Sequence, residues 1–238
     1  MSSQSLGESD RLITLMSRGR GKLRVVARGA QKAASKLAGL IQPLNRVGLI
    51  LWKGRTLDGI KGGKQLEDFH KLRSEWSTMC YASCFAELTS RISQEGEPDE
   101  PLYLLLVTSL RALNTDLNPH LVGTFFFVRA LKVAGFLPQL NYCVYCGEEP
   151  QGSVVLDYSR GGILCSACDG QPEGTADHLP ANLLQLFCLL RDVHPQQLDK
   201  LTEHNEQLWI NLRDQVLTFS EYHFDEQLKS RRFLDILF

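Results

Sequence analysis

At 238 residues, 43% hydrophobic and 22% charged, the chain has an ordinary globular composition and is long enough for one large domain or two small ones. That excludes wholesale disorder and collagen-like or low-complexity character; no apolar run reaches the roughly 18 residues of a membrane span, and the best, Leu121 to Leu137, is broken by Arg129 and Lys132. The net charge of -1 conceals a polarity, since residues 1–64 hold 13 Lys+Arg against 3 Asp+Glu, a net of +10, and residues 65–238 a net of -11; this is the pattern of a basic module for a polyanion joined to an acidic body.

Met1 to Asp10 is polar and lacks the apolar core of a secretory signal. A cytoplasmic protein is expected, whose seven cysteines are metal ligands or core thiols rather than disulfides. The first 64 residues read as β-structure. Leu12 to Met16 is a short apolar run ending in a cationic, turn-rich segment, Ser17 to Gly21. Lys22 to Arg28 alternates, with Leu23, Val25 and Ala27 on one face and Lys22, Arg24 and Arg28 on the other. Leu44 to Trp52 is a third strand-like run and Leu57 to Lys61 a fourth, ending at Gly62-Gly63. Several short strands with glycine-rich turns predict a small barrel or sandwich over residues 1–65.

The period changes at about Gln65, and residues 66–238 read as a mainly helical domain. Leu66 to Ser93 shows helical spacing through Phe69, Leu72, Trp76, Phe85, Leu88 and Ile92, and Gly96-Glu97-Pro98 stops it. Leu102 to Leu113 is a second helix. Pro119 to Phe136 is a third, apolar on nearly all sides and so the centre of a helical core. Residues 142–178 lose the period. Helices resume over Pro180 to Asp192 and from Gln197 to about Gln227.

An insert at about residues 142–172 carries Cys143, Cys146, Cys165 and Cys168 as C-x2-C-x18-C-x2-C. Zinc takes four ligands tetrahedrally, and each C-x2-C turn offers two thiolates on one side. Gly147 relaxes the first turn, and Val154 to Leu156 with Gly161 to Leu164 supply a hairpin between the pairs. Four thiolates close the coordination sphere, so one structural Zn2+ per chain is expected; redox pairs would open helices, and an iron–sulfur cluster fits this spacing less well. Cys80, Cys84 and Cys188 fall in helical segments and read as core residues.

Arg18, Arg20, Lys22, Arg24, Arg28, Lys32, Lys36 and Arg46 lie within 29 residues that contain no acid. A solvated surface usually mixes signs, so phosphate binding is the better reading; the composition by itself leaves DNA, RNA and anionic lipid open. No aromatic residue stands between Met1 and Leu51, which predicts binding dominated by backbone electrostatics. His70, His120, His178, His194, His204 and His223 form no nucleophile or metal motif, Asp177-His178 reads as a loop pair, and Gly59 to Lys64 lacks phosphate-loop spacing. No enzyme is indicated.

Leu6-Gly7-Glu8-Ser9-Asp10-Arg11-Leu12 followed by Gly21-Lys22-Leu23-Arg24-Val25-Val26-Ala27-Arg28-Gly29-Ala30 resembles the bacterial DNA repair RecO family. Ser35 to Pro43, Tyr81-Ala82-Ser83, Gly135-Phe136, the four cysteines and Leu228-Lys229-Ser230-Arg231 continue the resemblance in family order along the whole chain. It implies an α+β protein: an N-terminal OB-fold-like barrel, then a helical domain with a four-cysteine zinc insert. It also implies a recombination mediator that binds single- and double-stranded DNA and anneals complementary strands. With RecR, such a mediator helps load RecA onto DNA coated by single-strand-binding protein, at the nucleoid. Lys22, Arg24, Arg28, Lys32 and Lys36 fall on the family's basic barrel face.

Two departures are visible. The family carries a full strand before Gly-Glu-Ser-Asp, whereas only Met1 to Ser5 precede Leu6, so the first barrel strand is expected to be short or absent, leaving an open edge. Gly123-Thr124 stands where the family often has basic residues facing the partner's acidic tail, which leaves Arg129 and Lys132 as the docking candidates. Readings from other classes are a zinc-ribbon RNA-binding or translation-associated protein, a protein-binding scaffold, and a zinc hydrolase. The last would need an open coordination position.

Overall fold

In the computed structural model, which describes residues 1–201, 205–225 and 227–237, the chain is α+β and divides by its contacts into two units, Met1–Thr115 with Lys229–Phe238, and Asp116–Leu228. In the first unit alternating side chains build a five-stranded sheet: β1 (Ser2–Leu6), β2 (Asp10–Ser17), β3 (Gly21–Ala27), β4 (Arg46–Trp52) and β5 (Asp58–Glu67). The order β1-β2-β3-β5-β4 is that of an OB-type barrel. All neighbours are antiparallel except β3 and β5, which meet in parallel at Val25↔Asp58 and Val26↔Gly59. Among the described residues no ladder joins β1 to β4, so the barrel is open on that side.

Ile13, Val25, Ala27 and Ile60 point inward and are buried with Ala30 and Ile41 from the β3–β4 connection. Leu15, Leu23, Leu37, Leu49 and Leu51 pack against them. A cavity of about 460 Å³ lies in this unit, lined in part by Leu15, Leu23, Leu49, Leu51, Phe69 and Tyr103. The Gly-Glu-Ser-Asp segment is a tie: Asp10 Oδ1 accepts the Gly29 N–H at 2.8 Å, Gln31 Nε2 donates to the Asp10 carbonyl at 2.7 Å, and Gly29 takes φ 63° to make that turn.

Three expectations about this unit are settled or corrected. The first strand, expected short or absent, is short but present, five residues paired from Ser2↔Thr14 to Leu6↔Asp10, and the edge beside it is open as expected; its polar sequence hides it, because its strand character comes from β2's hydrogen bonds rather than from an apolar face. β5 does not stop at Gly62-Gly63 but runs to Glu67, which puts Leu66 in a strand. Gly63 serves close approach there, since a β-carbon on it would lie 2.4 Å from the Gly48 carbonyl oxygen. The helical period from Leu66 is two helices, α1 (His70–Ser74) and α2 (Trp76–Ile92), broken where Glu75 is extended (φ -114°, ψ 128°). Next comes α3 (Glu100–Leu113), its N-terminus capped by Asp99 accepting from the Leu102 N–H.

The second unit is built on α4 (Pro119–Ala134), which starts at the Asn118 cap and stops at left-handed Gly135, φ 78°. Leu121, Val122, Phe125, Phe126, Phe127, Val128 and Leu131 are all buried, which accounts for its apolar circumference. It packs between α5 (Ala181–Asp192) and α6 (Glu206–Phe224). The insert is a three-stranded sheet, β6 (Val154–Asp157), β7 (Gly162–Leu164) and β8 (Ala176–Leu179), in the order β7-β6-β8. Asp177-His178 is therefore strand, not loop, with Asp177 accepting from the Tyr158 hydroxyl. The expected helix from Gln197 to Gln227 is a 3-10 segment, Pro195–Leu201, and then α6; its residues 202–204, including His204, and 226 lie outside the described residues. A final short helix, α7 (Arg231–Asp235), belongs to the first unit. Glu87 of α2 accepts there from the Lys229 N–H at 2.9 Å and the Ser230 N–H at 2.8 Å.

Candidate metal centre and nucleic-acid interface

The cysteine pairs sit on two tight turns held by the insert's own backbone. Gly147, at φ 78°, donates its N–H to the Cys143 carbonyl at 2.9 Å, and the Cys168 N–H donates to the Cys165 carbonyl at 2.8 Å. The Val144 N–H donates to the Ile163 carbonyl at 2.9 Å, aligning the first turn on β7, and Gly162 leaves room for it, since a β-carbon there would fall 2.3 Å from Val144 Cγ1. All four Sγ atoms lie within 4.8 Å of one another, with Cys146 and Cys165 at 3.7 Å. A sulfur tetrahedron with bonds of about 2.3 Å has edges of about 3.8 Å, so the donor set fits a tetrahedral metal ion.

The thiols are electrostatically unequal. Burial raises the Cys143 thiol, but backbone N–H groups of Cys146, Cys165 and Tyr145 outweigh it and bring it down to about 6. Burial and the neighbouring sulfurs push Cys168 up to about 12. One thiolate is stabilised by the fold, and further negative charge in the same cluster calls for a cation.

Behind the turns, buried Asp157 accepts from the Arg160 N–H and the Glu173 N–H, each at 3.0 Å. These bonds outweigh burial and hold its carboxyl below the usual carboxylate range. The Arg160 guanidinium bonds Asp157 at 3.1 Å, the Gln171 carbonyl at 2.6 Å and Glu173 at 2.8 Å, and lies 5.4 Å from the Tyr145 ring centroid. Cys80 and Cys84 are buried in α2 and Cys188 is half-buried in α5, and burial pushes the Cys80 and Cys188 thiols up.

The eight cations of the acid-free segment do not form one open face. Gly96 donates its N–H to the Lys22 carbonyl at 2.9 Å and a β-carbon on Gly21 would clash with the Glu97 carbonyl at 1.7 Å, so the start of β3 is clamped against the residues after α2. Lys22 Nζ consequently donates to the Ser90 carbonyl at 2.7 Å, and Arg24 pairs with Glu95 at 3.4 Å. Arg18 pairs with Glu100, and Arg20 with Asp58 at 3.0 Å. Half-buried Arg46 is bonded to Glu67 and, at 3.3 Å, to the Tyr103 hydroxyl. Arg28, Lys32 and Lys36 are exposed and have no acidic ion-pair partner among the described residues.

Sequence reading missed four further cations in the same condition, Arg11, Arg55, Lys61 and Lys64, the last three exposed. It also missed an aromatic group. The Arg28 guanidinium stands 4.7 Å over the Trp52 ring, one residue beyond the stretch read as lacking aromatics; strand register supplies that proximity. In the second unit Arg129 and Lys132 donate to the Arg191 carbonyl at 2.6 and 3.3 Å, and Lys132 pairs with Asp192 at 3.5 Å. They hold the C-terminal end of α5. No described helix is long and apolar enough to cross a membrane.

Family models described as Recombination protein O N terminal and Recombination protein O C terminal match residues 1–69 and 73–232. The DNA repair protein RecO of Pelotomaculum thermopropionicum is 31% identical over 229 residues, which cover 96% of this chain and 88% of that protein. The protein of the same name from Moorella thermoacetica is 29% identical over 237 residues, 99% of this chain and 88% of its own length. That from Bifidobacterium animalis subsp. lactis is 30% identical over 233 residues, 97% and 94%.

Proposed function

Since the chain belongs to the Recombination protein O family, we propose that it is a DNA-binding recombination mediator without catalysis of its own. It anneals complementary single strands and, with RecR, helps load RecA onto DNA coated by single-strand-binding protein, in the cytoplasm at the nucleoid. The observation that carries this reading is the set of exposed cations on the first unit that are in no ion pair among the described residues, Arg28, Lys32, Lys36, Arg55, Lys61 and Lys64, with Asp10 near Arg28 and Lys32 only through space. Cations not held in an ion pair are free to displace counterions from phosphates. Bound to two strands together, they lower the strands' mutual repulsion and let complementary bases meet. Arg18, Arg20, Lys22, Arg24 and Arg46 join them to the extent that phosphate displaces their present partners. Arg129 and Lys132 offer two cations to an acidic tail of the single-strand-binding protein, in competition with Asp192.

Cys143, Cys146, Cys165 and Cys168 hold one structural Zn2+ in this reading. The ion supplies a cross-link between two turns. Asp157 and Arg160 keep the chain behind those turns in place.

Annealing of complementary oligonucleotides pre-coated with the cognate single-strand-binding protein, followed by fluorescence across a salt series, tests the proposal. Acceleration that fades with salt is expected. Neutralisation of about six phosphates on a single strand gives a log–log binding slope of roughly -4. Binding without annealing would overturn the mediator role, and a preference for structured RNA would select an RNA-binding protein instead.

A further inference from the structure

Trp52 is the aromatic ring placed among the unpaired cations. It ends β4 in register with Gly59 of β5, which is in register with Val26 of β3. A β-carbon on Gly59 would lie 2.2 Å from Trp52 Cε2 and 2.3 Å from Cζ2 and Nε1. The indole therefore rests on bare backbone, and its inner face is filled. The Arg28 guanidinium, 4.7 Å from the ring centroid, consequently covers the outward face. Arg28 follows directly on β3 and Lys61 lies in β5, the strand that pairs with β3; both are exposed with no carboxylate in ion-pair contact among the described residues, Asp10 reaching Arg28 only through space.

Resting on the DNA reading above, we propose that Trp52 is a stacking platform for one unpaired nucleobase and that Arg28 is its exchangeable cover. When a single strand binds, the Arg28 guanidinium leaves the ring for a phosphate, Lys61 takes a neighbouring phosphate, and a base occupies the vacated indole face. The exchange balances in kind, since the ring trades a cation for a π-surface while the cation gains a full negative charge. The platform is pre-organised, because the glycine backbone fixes the ring before the strand arrives. A duplex keeps its base faces stacked and cannot use it, so the device selects single strands over double strands without reading sequence. The lack of aromatics before Leu51 points to binding dominated by backbone electrostatics; the register of three strands adds the ring.

The test compares a labelled thymidine oligonucleotide with an abasic strand of equal length and charge, by fluorescence anisotropy on the unaltered protein at fixed salt. One stacked base predicts tighter binding of the thymidine strand by about 5- to 100-fold. In Trp52→Ala that difference collapses to the abasic affinity, and in Trp52→Phe most of it returns. Equal affinity of the unaltered protein for the two strands overturns the proposal, as does a preference that survives in a Trp52→Ala protein with a normal unfolding transition. These failures are distinguishable from failure of the DNA reading. Salt-sensitive binding of both strands without base preference removes only the role of Trp52, whereas no binding of either strand at low salt removes the DNA reading and the platform with it. Because the strand comparison needs no substitution, a variant that does not fold leaves the result decisive.

Discussion

Glu67 closes β5 under two guanidinium groups: Arg111 Nε donates to it at 2.8 Å, and Arg46 pairs with its other side. The Arg111 bonds, ahead of opposing desolvation and the Arg46 bond, bring its carboxyl down to about 2 from 4.5. A carboxyl depressed in the folded state contributes stability above its unfolded value and loses it as the pH falls towards the folded value. Glu67→Gln should therefore lower the unfolding temperature at neutral pH, by an amount corresponding to about 1–3 kcal/mol. The difference from the unaltered protein should shrink between about pH 4.5 and about pH 2, as thermal melts across that range would reveal. A gap constant through that window would mean that Glu67 stabilises the fold by packing instead. The same pair shows what the sequence around Arg46 does not display. Its local sequence is free of acid, but the acid it meets is 21 residues away, across the β4–β5 ladder.

At the scale of elements, the insert is the segment most dependent on something other than an apolar core. Its sheet has only three and four residues in β7 and β6, and around the turns only Cys143, Leu164, Cys165 and Cys168, with Val144 and Val155 against them, form a hydrophobic cluster. So small a cluster holds poorly without a staple. Chelation of the proposed metal, or replacing Cys168 by Ser, should lower the unfolding temperature and open the insert to proteolysis between Asn141 and Thr175, while the salt-dependent DNA affinity proposed for Arg28 and Lys61 should persist. An unchanged thermal transition after chelation would sink the structural role. The C-x2-C spacing made this element legible, because ligand geometry is a local property of a tight turn. β8 was not legible, because Ala176 to Leu179 is only four residues with polar Asp177-His178 at its centre, too short to show a period, and its pairing with β6 is made by backbone. β1 and the end of β5 were hidden for the same reason: ladder hydrogen bonds are made by every residue type, and sequence period records only the apolar face.

For the whole molecule the governing quantity is charge separation. The unit Met1–Thr115 with Lys229–Phe238 carries 20 Lys+Arg and 12 Asp+Glu, a net of +8, and Asp116–Leu228 carries 6 and 15, a net of -9. The first unit therefore keeps its attraction for a polyanion even after Glu67, Glu95 and Glu100 have neutralised cations within it. This divides the cations by effect. Arg28→Ala with Lys61→Ala should lower affinity for single strands about tenfold or more and flatten the salt slope by roughly one to two, whereas Arg18→Ala with Arg20→Ala should change it less, because their acidic partners already hold them. Equal losses from the two pairs, measured by anisotropy at several salt concentrations, would show that phosphates displace those partners freely. By itself the sequence determined the barrel's inward alternation, the buried helix at Pro119–Ala134, the four-cysteine centre and the basic bias of the N-terminal region, all of which are set by period, spacing or composition within a short stretch. Which cations are spent on acids, that a ring stands beneath Arg28, and that β1 pairs with β2 while β1 and β4 stay apart were decided by tertiary structure. Those facts depend on which distant residues strand register brings together, and register is fixed by the joint burial of all five strands rather than by any one of them.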